Sequence, residues 1–219
     1  RLEYRGYDSA GVVMLNGELE LVKGKGKVDA LAKKLQSASP KGTLGIGHTR
    51  WATHGEPNDV NSHPHLSQNG RISLVHNGII ENYHALKTSL QKKGYIFQSD
   101  TDTEVVVNLI EEIYDDSAVS FEGAIQLALQ QIVGTYGLAI VNLDEPDRIY
   151  VARKGSPLLL GLGDGEMFIA SDASPMVEHT SKVIYLDDGE MAIVRRDGYD
   201  IKTIKDEPIT KEVHELAMS

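Results

Sequence analysis

The 219-residue sequence contains no cysteine and no long hydrophobic run. Without cysteine these residues can form no disulfide, no thiolate metal site and no thiol nucleophile, and the composition agrees with a reducing compartment. There is no stretch of about 18 apolar residues, and no basic segment is followed by an apolar one, which excludes a transmembrane helix or a signal peptide within the sequence. We therefore expect a cytoplasmic chain without a membrane partner.

The sequence also has fewer basic residues than acidic ones. The sequence has 22 Lys and Arg residues against 32 Asp and Glu residues, a net charge of −10, which disfavours nucleic-acid partners and anionic membranes. Any anion site must therefore be local. The 41% of hydrophobic and 25% of charged residues are ordinary for a globular protein, and the length suits one domain with a sizeable core.

Hydrophobic periodicity predicts several helices. The most regular one follows Thr101 and Glu104, which form a T-x-x-E capping box, and keeps helical spacing as far as Ile113. Apolar residues at helical spacing also predict helices over residues 28–35, 81–93 and 121–133, with Gly134 as the stop of the last one. A further short helix is predicted to start in residues 171–175.

Short apolar runs between Asp, Gly, Asn and Pro residues predict strands. Asn16 and Gly17 form a hairpin signal between the first two runs. The predicted strands cover residues 10–15, 18–22, a run that leads into Gly45, and 71–76, 138–143, 149–153, 158–162, 167–170, 183–186 and 191–195. Short connections imply antiparallel pairing, and a helical pair must cover the sheet, so we predict an α+β layered sandwich.

Residues 45–65, GIGHTRWATHGEPNDVNSHPH, are the densest polar stretch of the chain. They begin as the end of a buried strand and bring Arg50, Trp51, His54 and Glu56 within a few positions of one another. A guanidinium presents a rigid fork of donors that suits a carboxylate or phosphate, and the neighbouring indole is a large apolar plate. We interpret the stretch as an anion-recognising flap. The alternative is that Arg50 and Trp51 only cap an edge of the core.

Two further features indicate a site for a charged substrate. Asn77 and Gly78 follow a predicted strand, where they form either a simple turn or a pair of converging donors for an oxyanion. Asp102 begins the most regular helix, where its charge either favours the helix N-terminus or receives a substrate ammonium group.

Five histidines between residues 48 and 76 raise a metal-hydrolase alternative. Their spacing matches no known zinc pattern, and Gly24 and Gly26 belong to no phosphate-loop fingerprint, so we expect no metal and no cofactor. The five histidines concerned are His48, His54, His63, His65 and His76.

Six motifs in order resemble the glutaminase domains of the glutamine-fructose-6-phosphate aminotransferase family, also called glucosamine-6-phosphate synthases. The resemblance runs along nearly the whole sequence, and its two longest motifs separate this family from the related amidophosphoribosyltransferases and asparagine synthetases. The motifs are RLEYRGYDSAG (1–11), HTRWATHGEP (48–57), NSHPH (61–65), HNGIIEN (76–82), TDTE (101–104) and SPLLLGLG (156–163).

The resemblance implies an N-terminal-nucleophile hydrolase fold, a four-layer αββα sandwich of two mainly antiparallel sheets. It implies hydrolysis of L-glutamine to glutamate and ammonia, with the ammonia used by a sugar-isomerase domain of a homodimeric parent enzyme to make glucosamine 6-phosphate. Residues 1–204 correspond to the amidotransferase domain, and residues 205–219 to an edge segment or the start of a linker toward that second domain.

The resemblance also assigns roles to residues of this sequence. Arg50 is expected to hold the α-carboxylate of glutamine, with Thr53 and His54 lining the same loop. Asp102 is expected to take the α-ammonium group. These roles match the chemistry above, because a zwitterion needs one cation and one anion at its two ends.

The remaining assignments concern the reacting amide. Asn77, through its side chain, and Gly78, through its backbone N–H, are expected to stabilise the oxyanion. Trp51 is expected at the mouth of an ammonia path, with Arg5 and His63 as supporting residues.

The sequence departs from the family pattern at the nucleophile. The family uses an N-terminal cysteine whose α-amino group is the base, and the sequence has no cysteine. We expect roughly two dozen upstream residues, enough for a central strand and a short helix, to be missing. As printed, the chain is expected to form no thioester. The other open alternatives are a domain that captures an amino acid without hydrolysing it and an amidophosphoribosyltransferase-like glutaminase.

Overall fold

The computed structural model describes residues 1–116 and 118–217. A short 3-10 helix, Leu2–Arg5, precedes the first strand. The α-helices are α1 (Val28–Ala38), α2 (Tyr83–Lys92), α3 (Asp102–Asp116) and α4 (Phe121–Gln131). The strands are β1 (Ser9–Leu15), β2 (Leu19–Lys25), β3 (Leu44–Arg50), β4 (His65–Leu66), β5 (Ile72–Asn77), β6 (Tyr136–Asn142), β7 (Arg148–Lys154), β8 (Leu159–Leu162), β9 (Met167–Ala170), β10 (Lys182–Tyr185), β11 (Glu190–Arg195), β12 (Gly198–Thr203) and β13 (His214–Glu215).

In the described part of the chain, the strands form three antiparallel sheets. The largest has six strands in the order β12-β11-β7-β6-β5-β4. A three-stranded sheet has the order β2-β1-β3, and a four-stranded sheet has the order β13-β10-β8-β9. The antiparallel arrangement predicted from the short connections is confirmed.

One face of the six-stranded sheet is covered by helices. Leu74 and Ile140 on the sheet are fully buried and belong to one apolar core with Val106 and Ile110 of α3 and Phe121 of α4. Because α3 buries most of its surface, its apolar residues extend well beyond a single stripe. This core fixes the position of the N-terminus of α3 relative to the strand ends.

The opposite face of the six-stranded sheet packs on the two smaller sheets. Val141 and Val151 share a second core with Val13 of β1, Leu160 of β8 and Ile184 of β10. Helix α1 lies outside the three-stranded sheet and packs on β1 and β2. The layers are therefore helix, sheet, sheet and helix, which confirms the αββα sandwich.

The second sheet layer is divided by a cleft. Within the described residues, β3 pairs only with β1, and β9 pairs only with β8, so each presents an unpaired edge. Both edges line a cavity of about 300 Å³. Unpaired strand edges expose backbone donors and acceptors that can accept a further strand.

Some sequence predictions fail in detail. The helix predicted to start in residues 171–175 is wrong, because Asp172 accepts hydrogen bonds from the Ser174 N–H (2.8 Å) and hydroxyl (2.6 Å) and holds a turn instead. Helix α4 ends at Gln131, before Gly134. Gly134 instead lets its backbone lie close to that of Ile79, because a Cβ at this position would collide with the backbone oxygen of Ile79. Strands β4, β12 and β13 are not predicted.

Only one of the two hydrogen bonds of the predicted capping box forms. The Thr101 hydroxyl accepts from the Glu104 N–H at 3.3 Å, as expected. The Glu104 carboxylate turns back further and accepts from the backbone N–H groups of Gln98 (2.9 Å) and Ser99 (2.6 Å). Glu104 therefore fixes the segment that leads into α3.

Candidate active site

A polar cavity of about 300 Å³ opens at the ends of β3 and β5, next to the first turn of α3. It contains all but one of the residues that the sequence predicts for a site. The predicted residues that line it are Arg5, Arg50, Trp51, Thr53, His63, Asn77, Gly78 and Asp102. His54 is the exception, because its ring packs against Tyr83 with centroids 4.7 Å apart.

Arg50 supplies a buried cation. It is the last residue of β3 and is 5% exposed. Burial lowers the pKa of its guanidinium, while the charges of Asp8 and Asp102 act in the opposite direction. The guanidinium donates to the carbonyls of His54, Gly55 and Glu56, so it holds the loop after β3 in place. These bonds use three of its five donors, and the Nε–H and one Nη1–H remain without a hydrogen-bond partner among the described residues.

Asp102 supplies the anion. It is the first residue of α3 and is 4% exposed. Its Oδ2 accepts from the Ile80 N–H at 2.9 Å, and the helix N-terminus favours its negative charge. Within the described part of the chain, Arg50 and Asp102 do not form an ion pair within 4.0 Å, although both line the same cavity. Each charge is therefore available to a ligand.

Asn77 and Gly78 supply neutral donors at the end of β5. Gly78 has φ +124°, and a Cβ there would collide with the backbone oxygen of Thr135. Within residues 1–116 and 118–217, the Gly78 N–H donates no backbone hydrogen bond. The Asn77 Oδ1 lies 2.7 Å from His48 Nε2. Both residues line the cavity, and within the described part of the chain neither the Gly78 N–H nor the Asn77 NH₂ group donates a hydrogen bond.

The loop after β3 covers the cavity from outside. Trp51 is 67% exposed beside Gly6, so its ring does not cap the core. Asp8 anchors the loop, because its Oδ2 accepts from the Ala52 N–H at 2.9 Å. Thr53 points to the same cavity.

The buried histidines His63, His65 and His76 and the half-buried His48 form a neutral cluster. The rings of His48 and His63 stack at 4.3 Å, and His65 meets the edge of His63 at 5.1 Å. Burial lowers the pKa of His63, His65 and His76, and it lowers the pKa of His48 to about 4. Among the residues described, no group of three or more His, Cys, Asp or Glu side chains is arranged to hold a metal ion.

This cluster predicts a loss of stability in acid. The folded-state pKa of His48, about 4, lies below the ordinary value of 6.5, so the unfolded chain binds more protons between these values. The free energy of unfolding should therefore fall with pH below 6.5, by up to about 1.4 kcal/mol per pH unit for each such histidine. Urea unfolding at pH 7 and pH 5 measures the loss.

The control compares two histidines. His48→Gln should reduce the difference between the two pH values, while the exposed His84→Gln variant should keep it. Equal unfolding free energies for the unsubstituted chain at both pH values would contradict a neutral histidine cluster.

Lys23 is a structural residue that no sequence pattern singles out. Its Nζ donates to the carbonyls of Val60 (3.1 Å), Ser62 (2.7 Å) and Pro64 (3.1 Å). Burial lowers the pKa of Lys23 to about 8. Lys23 therefore ties β2 to the loop that presents His63 to the cavity.

The layered sandwich, with a polar cavity at its strand ends, belongs to the class of N-terminal-nucleophile amidotransferases. A solved glutamine phosphoribosylpyrophosphate amidotransferase from B. subtilis matches 93% of this chain and 44% of its own, with a TM-score of 0.76 and 30% identity. A second structure, described as an allosteric regulatory enzyme of purine biosynthesis, matches with a TM-score of 0.78 and 31% identity over the same shares.

Sequence comparison then gives the family. Residues 35–218 match the model of the glutamine amidotransferase domain, and the chain belongs to this family. The chain is 57% identical, over its full length, to a glutamine–fructose-6-phosphate aminotransferase (isomerizing) of Chlorobaculum tepidum, and 56% identical to one of Thermococcus kodakarensis over 99% of its length. It spans 36% of each of these relatives. The resemblance inferred from the motifs is confirmed.

In the described part of the chain, no helix combines the length and the apolar character that crossing a bilayer requires.

Proposed function

We propose that the cavity binds L-glutamine and that the domain hydrolyses the side-chain amide to glutamate and ammonia. The observation that carries this proposal is the pair of opposite charges, Arg50 and Asp102, which line one cavity without pairing with each other. A free amino acid is a zwitterion, so it matches both charges at once, whereas a peptide or a simple acid matches one.

The remaining donors fit the reacting amide. With the α-carboxylate on Arg50 and the α-ammonium on Asp102, the side chain extends toward Asn77 and Gly78. Attack on the amide carbon moves an electron pair to the carbonyl oxygen, and the Asn77 NH₂ and the Gly78 N–H then stabilise this oxyanion. Each such donor contributes roughly 3 kcal/mol of transition-state stabilisation in enzymes where one has been removed.

The nucleophile is not among the printed residues, which contain no cysteine. We infer that a segment carrying the cysteine implied by the family resemblance pairs with the free edges of β3 and β9. This placement is supported by the cavity between those edges, which shares His48, His76 and Asn77 with the glutamine pocket. A thiolate there would reach the amide carbon from the sheet side of the pocket.

The relatives suggest how the ammonia is used. They are named glutamine–fructose-6-phosphate aminotransferases, and this chain covers only about a third of their length. We propose that the parent protein of this chain performs the same reaction, with the ammonia passing to a sugar-isomerase domain, and that the parent is a homodimer.

Calorimetric titration of the 219-residue chain with L-glutamine tests the binding step. We expect saturable binding that is weakened at least 10-fold in Asp102→Asn, which keeps the shape of the side chain and removes the charge that holds the ammonium group. The exposed Asp197→Asn variant is the matched control and should bind normally. No heat of binding with the unsubstituted chain, or equal affinity in Asp102→Asn, would overturn the proposal.

A further inference from the structure

His48 makes the one hydrogen bond to the Asn77 side chain among the described residues. It lies in β3, and its Nε2 is 2.7 Å from the Asn77 Oδ1 across to β5. The two residues are 29 positions apart, and the contact joins the second sheet layer to the six-stranded sheet. His48 therefore controls which end of the Asn77 amide faces the cavity.

The surroundings of His48 decide which ring nitrogen carries the proton. Its Nδ1 is buried and has no hydrogen-bond partner within the described part of the chain. A buried N–H without an acceptor is rarer than an unused acceptor, so the proton is favoured on Nε2. A tautomer matters only for a neutral ring. The His63 ring is stacked 4.3 Å away, and charge on both rings is disfavoured because two adjacent imidazolium ions would repel.

We propose that His48 is a positioning residue that donates from Nε2–H to the Asn77 Oδ1 and so turns the Asn77 NH₂ group toward the cavity. This inference deepens the proposed function and rests on it. An asparagine amide can rotate so that its oxygen and nitrogen exchange places, and the two orientations offer a ligand opposite hydrogen-bonding groups. The observed one offers a donor to a carbonyl oxygen, whereas the reverse one offers an acceptor.

His48 thereby sets a preference between ligands. L-Glutamine and L-norvaline share the α-carboxylate, the α-ammonium group and a chain of three side-chain carbons, but the third carbon is an amide carbon in glutamine and a methyl group in norvaline. Arg50 and Asp102 hold both ligands alike. Only glutamine has an amide for Asn77 to bind, so the ratio of the two affinities reports how much Asn77 contributes to binding that amide.

The test measures both affinities by calorimetry in three chains. His48→Met removes the donor at similar volume, and we expect it to weaken glutamine binding about five-fold while norvaline binding stays within two-fold. His48→Gln can donate from its own amide, and we expect it to restore the preference for glutamine. Equal losses for both ligands in His48→Met would show a merely structural role and overturn the inference.

A measurement on the unsubstituted chain guards against a variant that fails to fold. Long-range ¹⁵N–¹H spectra of the imidazole rings show which nitrogen of His48 carries the proton. A proton on Nε2 is expected, and one on Nδ1 overturns the inference even if glutamine binds. Absence of binding by either ligand to the unsubstituted chain would instead refute the proposed function, so the two failures are distinguishable.

Discussion

Arg50→Ala is expected to weaken L-glutamine binding by about 100-fold or more. The buried guanidinium is the cation proposed to hold the substrate carboxylate, and a charge-assisted hydrogen bond of this kind contributes about 1.5–3 kcal/mol in addition to the cost of leaving that carboxylate unpaired. The substitution also frees the loop carbonyls of His54, Gly55 and Glu56, so the flap should become mobile. Calorimetry measures the first effect, and proteolysis at the loop measures the second.

Two variants separate charge from geometry in this prediction. Arg50→Lys keeps a cation but loses the planar fork, so it should recover only part of the affinity. Arg71→Ala removes a half-exposed guanidinium paired with Asp144 and should leave glutamine binding unchanged. Full affinity in Arg50→Ala would mean that the carboxylate is held elsewhere.

Gly78→Ala is expected to have the largest effect on stability, a loss of about 3–5 kcal/mol. The residue has φ +124°, which is strained for any side chain, and the added Cβ would collide with the Thr135 backbone oxygen and lie 2.9 Å from the Thr135 Oγ1. The backbone must shift to relieve the collision, and this displaces the Gly78 N–H from the oxyanion position. Urea unfolding measures the loss.

Gly70→Ala is the matched control for this prediction. Gly70 also has a positive φ, +76°, but no atom lies within 4 Å of a Cβ added there. Its alanine variant should lose only about 1 kcal/mol, because it has the backbone strain without the collision. If both variants were destabilised equally, the close approach of Thr135 would not be the reason for a glycine at position 78.

Much of the fold can be predicted from the sequence because its helices and strands have strong local patterns. Helix α3 combines a capping residue with regular apolar spacing, and the strands after Tyr136 are short apolar runs between turn residues. Strand β12 was missed because only Ile201 is buried among its six residues, so its pattern is mostly polar. The turn at Asp172 was mistaken for a helix because a Ser and Asp cluster also favours helix N-termini.

Part of the site could also be predicted from the sequence, because several of its residues follow strong local patterns. Arg50, Asn77 and Asp102 stand at the ends of predicted elements, where functional side chains are presented. The contact between His48 and Asn77 depends on how two sheets are stacked, which no local pattern reports. Lys23 was missed because a lysine in an alternating strand is typical of a solvent-facing position, and its three carbonyl partners come from a distant loop.

The central claim is that one cavity holds both charged ends of a free amino acid. The most direct test is to titrate the unsubstituted chain with three ligands: L-glutamine, 4-carbamoylbutanoate, which lacks the ammonium group, and 4-aminobutanamide, which lacks the carboxylate. We predict that each deletion weakens binding by about 30-fold or more, since each leaves one buried charge, Asp102 or Arg50, without its partner. Binding of either analogue as tight as that of glutamine would contradict the claim.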